Sequence, residues 1–371
     1  MNPTGEPFDV PAYRICLDDG QIDAALAGIE NVLRGGIFVL GPHTERFEQS
    51  FSKLVETEAV AVSTGTTALE IIYRAIDVRD RPVLVPVNTN FATARAVLAA
   101  GGRPVFYDGG LYPSVEDIER RLTRDTRALT VVHIGGHISP DMPRLAEIAR
   151  DRGVALVEDA AHAHGSTLAG KPAGAWGDAA AFSFFPTKVI TTFEGGAVVS
   201  ADPAITKAAR VYRNQGKDPA TGLHVVDGNS WRMSEVGAVL GSVQLQRLDE
   251  DTARRQDVLE LYRRELSHLE SLRFPEVTAG SRLSGHKAIV LLSKGSQRSA
   301  VVGRLRRRGV AVAGAVYDVP LHRQPVFRGI AADSFPLAEE FCGAHLCLPI
   351  WTGMRECETH AVINAVKEAV R

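Results

Sequence analysis

Cysteine is scarce in this chain. Cys16, Cys342, Cys347 and Cys357 are unevenly spaced and include no C-x-x-C pair, which speaks against a disulfide framework and fits reduced residues of a cytosolic protein. Excess charge of either sign is also missing. A net charge of -2 gives no electrostatic case for nucleic acid or an anionic membrane as main partner. No apolar run reaches the roughly 18 residues needed to span a bilayer, and Met1 to Val10 lacks a basic-then-apolar signal pattern. Internal repeats and low-complexity tracts are absent too. What is present is the balance of an ordinary soluble protein, 45% hydrophobic and 23% charged. Its 371 residues suit a large domain with a smaller one attached.

The most informative stretch runs from Val154 to Gly196. Val154-Ala155-Leu156-Val157 reads as a buried strand that ends in Glu158-Asp159, and Ala179 to Phe185 as a second that ends in Pro186-Thr187-Lys188. Two such strands set Asp159 and Lys188 at one rim of a sheet, where open α/β sheets place their ligand crevice. A lysine there can form a Schiff base with an aldehyde, helped by burial that keeps its amine neutral. An aspartate on the neighbouring strand end can pair with a pyridinium nitrogen and keep it protonated. Together they read as a site for pyridoxal 5'-phosphate (PLP). Taken singly, a solvated loop lysine and a helix-capping aspartate explain the two residues as well.

Around this stretch strands and helices alternate, the signature of a mostly parallel, doubly wound sheet. Ile22, Leu26, Ile29 and Leu33 predict a helix from Gln21 to Arg34 that buries one stripe. Ala59 to Val62 reads as a strand that turns through Ser63-Thr64-Gly65-Thr66 into a helix, and such a start favours a phosphate. By itself that signal is weak. Met233 to about Leu269 reads as one long helix, and Lys287 to Ser293 and Gly309 to Val316 as strands around a helix from Gln297 to Arg308. The polar stretch Asn214 to Ser230 is long enough for a functional or mobile loop. His162 and His164 beside Glu158 and Asp159 raise a metal reading, but an H-x-H with upstream acids is too loose for a tetrahedral site, and no metal is expected.

Val157-Glu158-Asp159-Ala160-Ala161-His162-Ala163-His164-Gly165, Phe182-Ser183-Phe184-Phe185-Pro186-Thr187-Lys188 and Glu194-Gly195-Gly196-Ala197-Val198-Val199 together resemble the DegT/DnrJ/StrS family of PLP-dependent aminotransferases. Further likeness lies in Gly41-Pro42, in Gly228-Asn229-Ser230-Trp231-Arg232-Met233-Ser234-Glu235, in Tyr317-Asp318-Val319-Pro320-Leu321-His322 and in Leu346-Cys347-Leu348-Pro349, so it covers nearly the whole chain from about Gly35. The resemblance implies α/β fold type I: a large domain with a mostly parallel seven-stranded sheet between helices, and a smaller C-terminal α/β domain. We expect residues 1–250, with the N-terminal helix, to form the large PLP-binding domain and 251–371 the small one.

The same resemblance assigns Lys188 as the cofactor-bearing lysine and Asp159 as partner of the ring nitrogen. It implies Gly65, Thr66 and Ser183 at the cofactor phosphate, Phe91 stacked on the ring and His162 at the ring hydroxyl. Asn229 would reach the phosphate of the other subunit, which implies a homodimer with shared active sites. His133, His224, Tyr317 and His322 are candidates for substrate contact; for His133 a structural role, and for His224 a solvated position, fits as well. The implied activity moves an amino group from glutamate or glutamine to a keto-sugar, nucleotide-linked, in a cytoplasmic biosynthetic pathway. A keto-cyclitol acceptor, or a non-catalytic regulator that binds PLP or sugar, are the alternatives. Asp108 to Pro113 and Asn214 to Asp227 depart from the family pattern, which puts the acceptor's identity in doubt.

Overall fold

The computed structural model describes residues 9–293, 297–312, 314–330 and 334–370. Apolar five-residue runs build a central sheet: β1 (Glu58–Val62), β2 (Pro82–Pro86), β3 (Arg103–Tyr107), β4 (Ala128–Val132), β5 (Ala155–Asp159), β6 (Ala179–Ser183) and β7 (Gly196–Ser200). Their spatial order is β1-β7-β6-β5-β4-β2-β3. Only β7 runs against its neighbours, antiparallel to β1 and β6, while the other pairs are parallel. The helices in chain order are α1 (Asp19–Gly35), α2 (Pro42–Val55), α3 (Gly65–Ala75), α4 (Phe91–Ala99), α5 (Val115–Arg121), α6 (Met142–Arg152), α7 (Pro203–Tyr212), α8 (Glu235–Leu245), α9 (Leu248–Leu266), α10 (Arg298–Arg307), α11 (Pro336–Ala344) and α12 (Glu356–Ala369).

Side chains alternate across the sheet, so each strand feeds two cores. Leu84, Ala180 and Phe182 pack on one face under α2, α5, α6 and α8; Val83, Val85 and Ala181 pack on the other under α3, α4 and α7. A third core, with Val258, Tyr262, Val290, Leu305, Leu348, Trp351 and Val362, joins α9, α10 and α12 to an antiparallel sheet of β8 (Leu272–Arg273), β9 (Ala288–Leu292) and β10 (His345–Leu348).

The parallel strands deliver their carboxyl ends to one rim. The turn from β6 to β7 closes on the same rim and is tied at its base: Phe184 N–H donates to Gly195 O (2.8 Å) and Thr192 N–H to Phe184 O (2.9 Å). Beside it, α2 opens with Pro42 at its first turn, and the buried Glu235 carboxylate accepts from the N–H groups of Gly41, His43 and Thr44 at 2.8–3.0 Å.

Three sequence expectations change. The apolar stripe of α1 faces outward: Ile22, Leu26 and Leu33 are 42%, 59% and 63% exposed, while Gln21, Ala25 and Val32 face inward. Gly28 sets that side, because a Cβ there would lie 2.5 Å from a Val239 methyl of α8. The long helix is two, broken at Gln246-Arg247 without proline; Arg247 leaves helical geometry (φ -115°, ψ 6°) and its guanidinium pairs with Asp18 and Glu250. Around Gly309 to Val316, of which residue 313 lies outside the described residues, Val310 makes a single bridge to Val10, and the strand beside β9 is β10 instead.

Candidate active site

A cavity of about 390 Å³ opens at the carboxyl rim of the sheet. Asp159 from the end of β5, Ser183 from the end of β6 and Lys188 from the following turn line it, together with Gly65 and Thr66 at the start of α3, His162 and Tyr317. Six of these seven residues meet because they lie at or just past a strand end or at a helix start on one rim, and Tyr317 reaches in from the loop ahead of Leu321.

At one end, Thr64 caps α3, its hydroxyl accepting from Thr67 N–H at 3.0 Å. The N–H groups of Gly65 and Thr66 fall in the first turn, where no helical carbonyl can take them. Gly65 is required here by close approach: a Cβ would sit 2.7 Å from Ser183 Cβ. Asp159, 6% exposed, accepts from Thr93 Oγ1 at 2.8 Å and from Ala161 N–H at 3.2 Å. Burial raises its carboxyl, opposed by those two donors and by the charge of Lys188. Burial also lowers the Lys188 amine to about 8, opposed by Asp159 and assisted by the nearby Lys287. The His162 ring is pushed well below its ordinary value, first by burial and then by Lys188. Its Nδ1 accepts from Gly135 N–H at 3.2 Å, so the neutral ring carries its proton on Nε2. Tyr317 lies stacked near His162, ring centroids 6.1 Å apart, and burial raises its phenol.

Other candidates point elsewhere. Phe91 is 47% exposed and its ring stands 5.7 Å from Phe327. Asn90, one residue earlier, lines the cavity instead. The cause is local: Asn90 is the N-cap of α4, its side chain accepting from Ala92 N–H at 2.9 Å, and the first helical residue turns away. His133 is fully buried and contacts Glu158 Oε2 at 2.8 Å, away from the cavity lining. His224 is exposed and donates to Gln215 O at 2.7 Å. His322 donates to Glu339 at 2.9 Å and packs on Phe335. Asn229 is exposed, its side chain accepting from Ser230 N–H at 2.7 Å. His164 is enclosed by the rings of Phe51, Phe182 and Phe184, and burial lowers it to about 3. Among the described residues no group of three or more His, Cys, Asp or Glu could hold a metal ion.

The sequence reading missed Asn90, Ala161, Phe185 and Glu194, which also line the cavity. For Asn90 a signal existed, an asparagine one residue ahead of an apolar helix start. Chemically, the cavity offers a buried amine, a buried carboxylate and a helix start cradled against a serine. That donor set fits PLP: amine for the aldehyde, carboxylate for the ring nitrogen, and helix N–H groups with Ser183 for the phosphate.

Comparison with known proteins agrees. Residues 21–367 match the DegT/DnrJ/EryC1/StrS aminotransferase family. A dTDP-3-amino-3,4,6-trideoxy-alpha-D-glucose transaminase of Streptomyces venezuelae is 34% identical over 94% of this chain and 92% of its own. The crystal structure of S. venezuelae DesV in complex with a ketimine intermediate superposes with a TM-score of 0.91 at 33% identity, covering 99% of both chains. The aminotransferase TlmJ from Streptoalloteichus hindustanus gives a TM-score of 0.89 at 30% identity over 98% of both chains.

Proposed function

The chain belongs to the DegT/DnrJ/EryC1/StrS aminotransferase family, and from that premise we propose that it moves an amino group from glutamate to the keto group of a nucleotide-linked sugar. Its class, a PLP-dependent aminotransferase of fold type I, follows from membership. The finer reading rests on relatives such as the dTDP-sugar transaminase. The observation that carries it is the shared cavity of Lys188, Asp159 and the α3 start.

Bound there, PLP supplies the electron sink that lets a carbon beside nitrogen lose a proton. The chain's residues do the rest. Lys188 Nζ, held near 8 by burial, is poised close to neutral pH to take up that proton and return it. Asp159 holds the ring nitrogen, and Thr93 and Ala161 N–H orient the carboxylate. His162 presents its Nε2 proton to the ring hydroxyl. Ser183, Gly65 and Thr66 hold the phosphate.

A homodimer with shared sites belongs to the same proposal. The outward apolar stripe of α1 and the exposed Leu223 and Val225 of the 214–230 excursion, which carries Asn229, form surfaces of the kind partners cover. We place the boundary between a large and a small domain near residue 250.

Purified protein with added PLP is expected to absorb in the visible, and Lys188→Ala to abolish that absorbance. A panel of keto-sugar nucleotides and keto-cyclitols with glutamate or glutamine, read by mass, tests the substrates. Amination of cyclitols alone would overturn the sugar reading.

A further inference from the structure

A second, smaller cavity lies against Lys188. It holds about 30 Å³, and its lining includes Thr191, Gln244, Arg255, His286 and Lys287. Space on this scale takes two waters or one carboxylate, not a sugar. Its charge is unusual. Arg255 is 8% exposed, and its guanidinium donates to two neutral acceptors, Thr352 Oγ1 (3.1 Å) and Gly285 O (3.2 Å). Lys287 is half-buried just before β9, and among the described residues no carboxylate lies within ion-pair distance of it. Lys188 is the third enclosed cation on the wall; Arg14 also lines it, but is exposed and paired with Glu358. The single acid there is Asp251, one helical turn before Arg255 and not within ion-pair distance of it. His286 and His162, their rings tilted against each other with centroids 4.4 Å apart, are kept neutral by burial. One buried and two half-buried cations against one acid are costly unless an anion joins them.

Building on the aminotransferase reading, we infer that Lys287 and Arg255 seat the α-carboxylate of the amino-acid donor. The donor's α-carbon must come within reach of Lys188 Nζ, and the anionic group bonded directly to that carbon is its carboxylate. A carboxylate-sized, cation-lined cavity that shares Lys188 with the larger one is where that group fits. The larger cavity is left to the ring and the sugar. Arg255 offers a planar fork already fixed by Thr352 and Gly285, and Lys287 a point charge on a flexible stem. The pair thereby favours amino acids over simple amines as donors, and it assigns work to two residues for which neither motif nor periodicity gave a signal.

The test uses the PLP-loaded protein, with L-glutamate and its α-methyl ester as donors. The apparent Kd of each is read from the spectral change of the first half-reaction. Acetate is titrated into loaded and cofactor-free protein alike while the melting temperature is followed. Unmodified protein should bind glutamate more than about tenfold tighter than the ester, the scale of a lost charge-assisted hydrogen bond. Lys287→Gln should weaken glutamate by a similar factor, leave the ester unchanged and erase the acetate-induced rise in melting temperature, and Lys287→Arg should restore most of the loss. Equal affinity for glutamate and ester in the unmodified protein overturns the inference even if the variants do not fold. So does a Lys287→Gln protein that responds to glutamate and acetate as before. Because acetate is also read without cofactor, a failure of the PLP reading stays distinguishable from a failure of this one.

Discussion

Two adjacent carboxylates at the end of β5 show how the faces of one sheet divide their labour. Glu158 and Asp159 leave the strand on opposite sides, and both are nearly inaccessible to solvent. Glu158 is saturated. It accepts from Gly174 N–H (2.8 Å), Trp176 N–H (2.7 Å) and Gly177 N–H (2.7 Å) and contacts His133 Nε2. Those bonds fasten the connection from β5 to β6. Asp159 has two donors and a raised carboxyl, and it faces a cavity with an amine. The lesson is that a fully bonded buried acid holds structure, whereas an incompletely bonded one beside open space is held ready for a ligand.

Breaking each acid in turn gives the largest contrast. Asp159→Asn should cut turnover by about 10²- to 10³-fold, the scale of removing one electrostatic partner from a reacting group, with the melting temperature held or raised. The sign follows from the shift. A carboxyl raised in the folded state disfavours folding once it is ionised, so neutral asparagine removes a cost at pH 7. Glu158→Ala should do the reverse, losing about 3–5 kcal/mol of stability in urea unfolding because buried donors lose their acceptor. Cofactor absorbance per folded molecule should persist.

A smaller effect sharpens the pairing of Asp159 with Lys188. Cofactor-free protein should capture PLP at a rate that rises with pH and levels above about 8, where the amine is neutral. In Asp159→Asn the midpoint should move to lower pH, since the charge that favours the ammonium is gone. The smallest effect belongs to Thr93→Val. Loss of one hydroxyl donor to Asp159 should reduce turnover by roughly threefold to tenfold, the scale of one net hydrogen bond, and leave stability nearly unchanged.

Much of this was legible from residue order. The apolar runs that end in Asp159 and just before Lys188 announced both the sheet and its working rim, and the Gly-Thr turn after β1 announced the helix start that joins them. What escaped depended on partners distant in the chain. Periodicity gave α1 an apolar stripe and could not say that the inner side would be Gln21, Ala25 and Val32, because Gly28 against Val239 decides it. That Asn90 and not Phe91 lines the cavity turned on a single step of helix start. His133 looked available at a strand end until Glu158, from the neighbouring strand, accounted for it. Arg255 and Lys287, thirty-two positions apart, carry no local mark of facing the same hollow.

The reversed strand β7 has a mechanical consequence. Because the chain returns along β7 soon after leaving β6, the segment bearing Lys188 is clamped at its neck, by Phe184 to Gly195 and by Thr192 to Phe184. Backbone excursions are thereby confined, and the travel left to the ammonium is the swing of four methylenes. In the proposed reaction, any two atoms between which it carries a proton must therefore lie inside one short arc. The fold sets the ruler for the reaction, and a longer leash would add reach at the expense of aim.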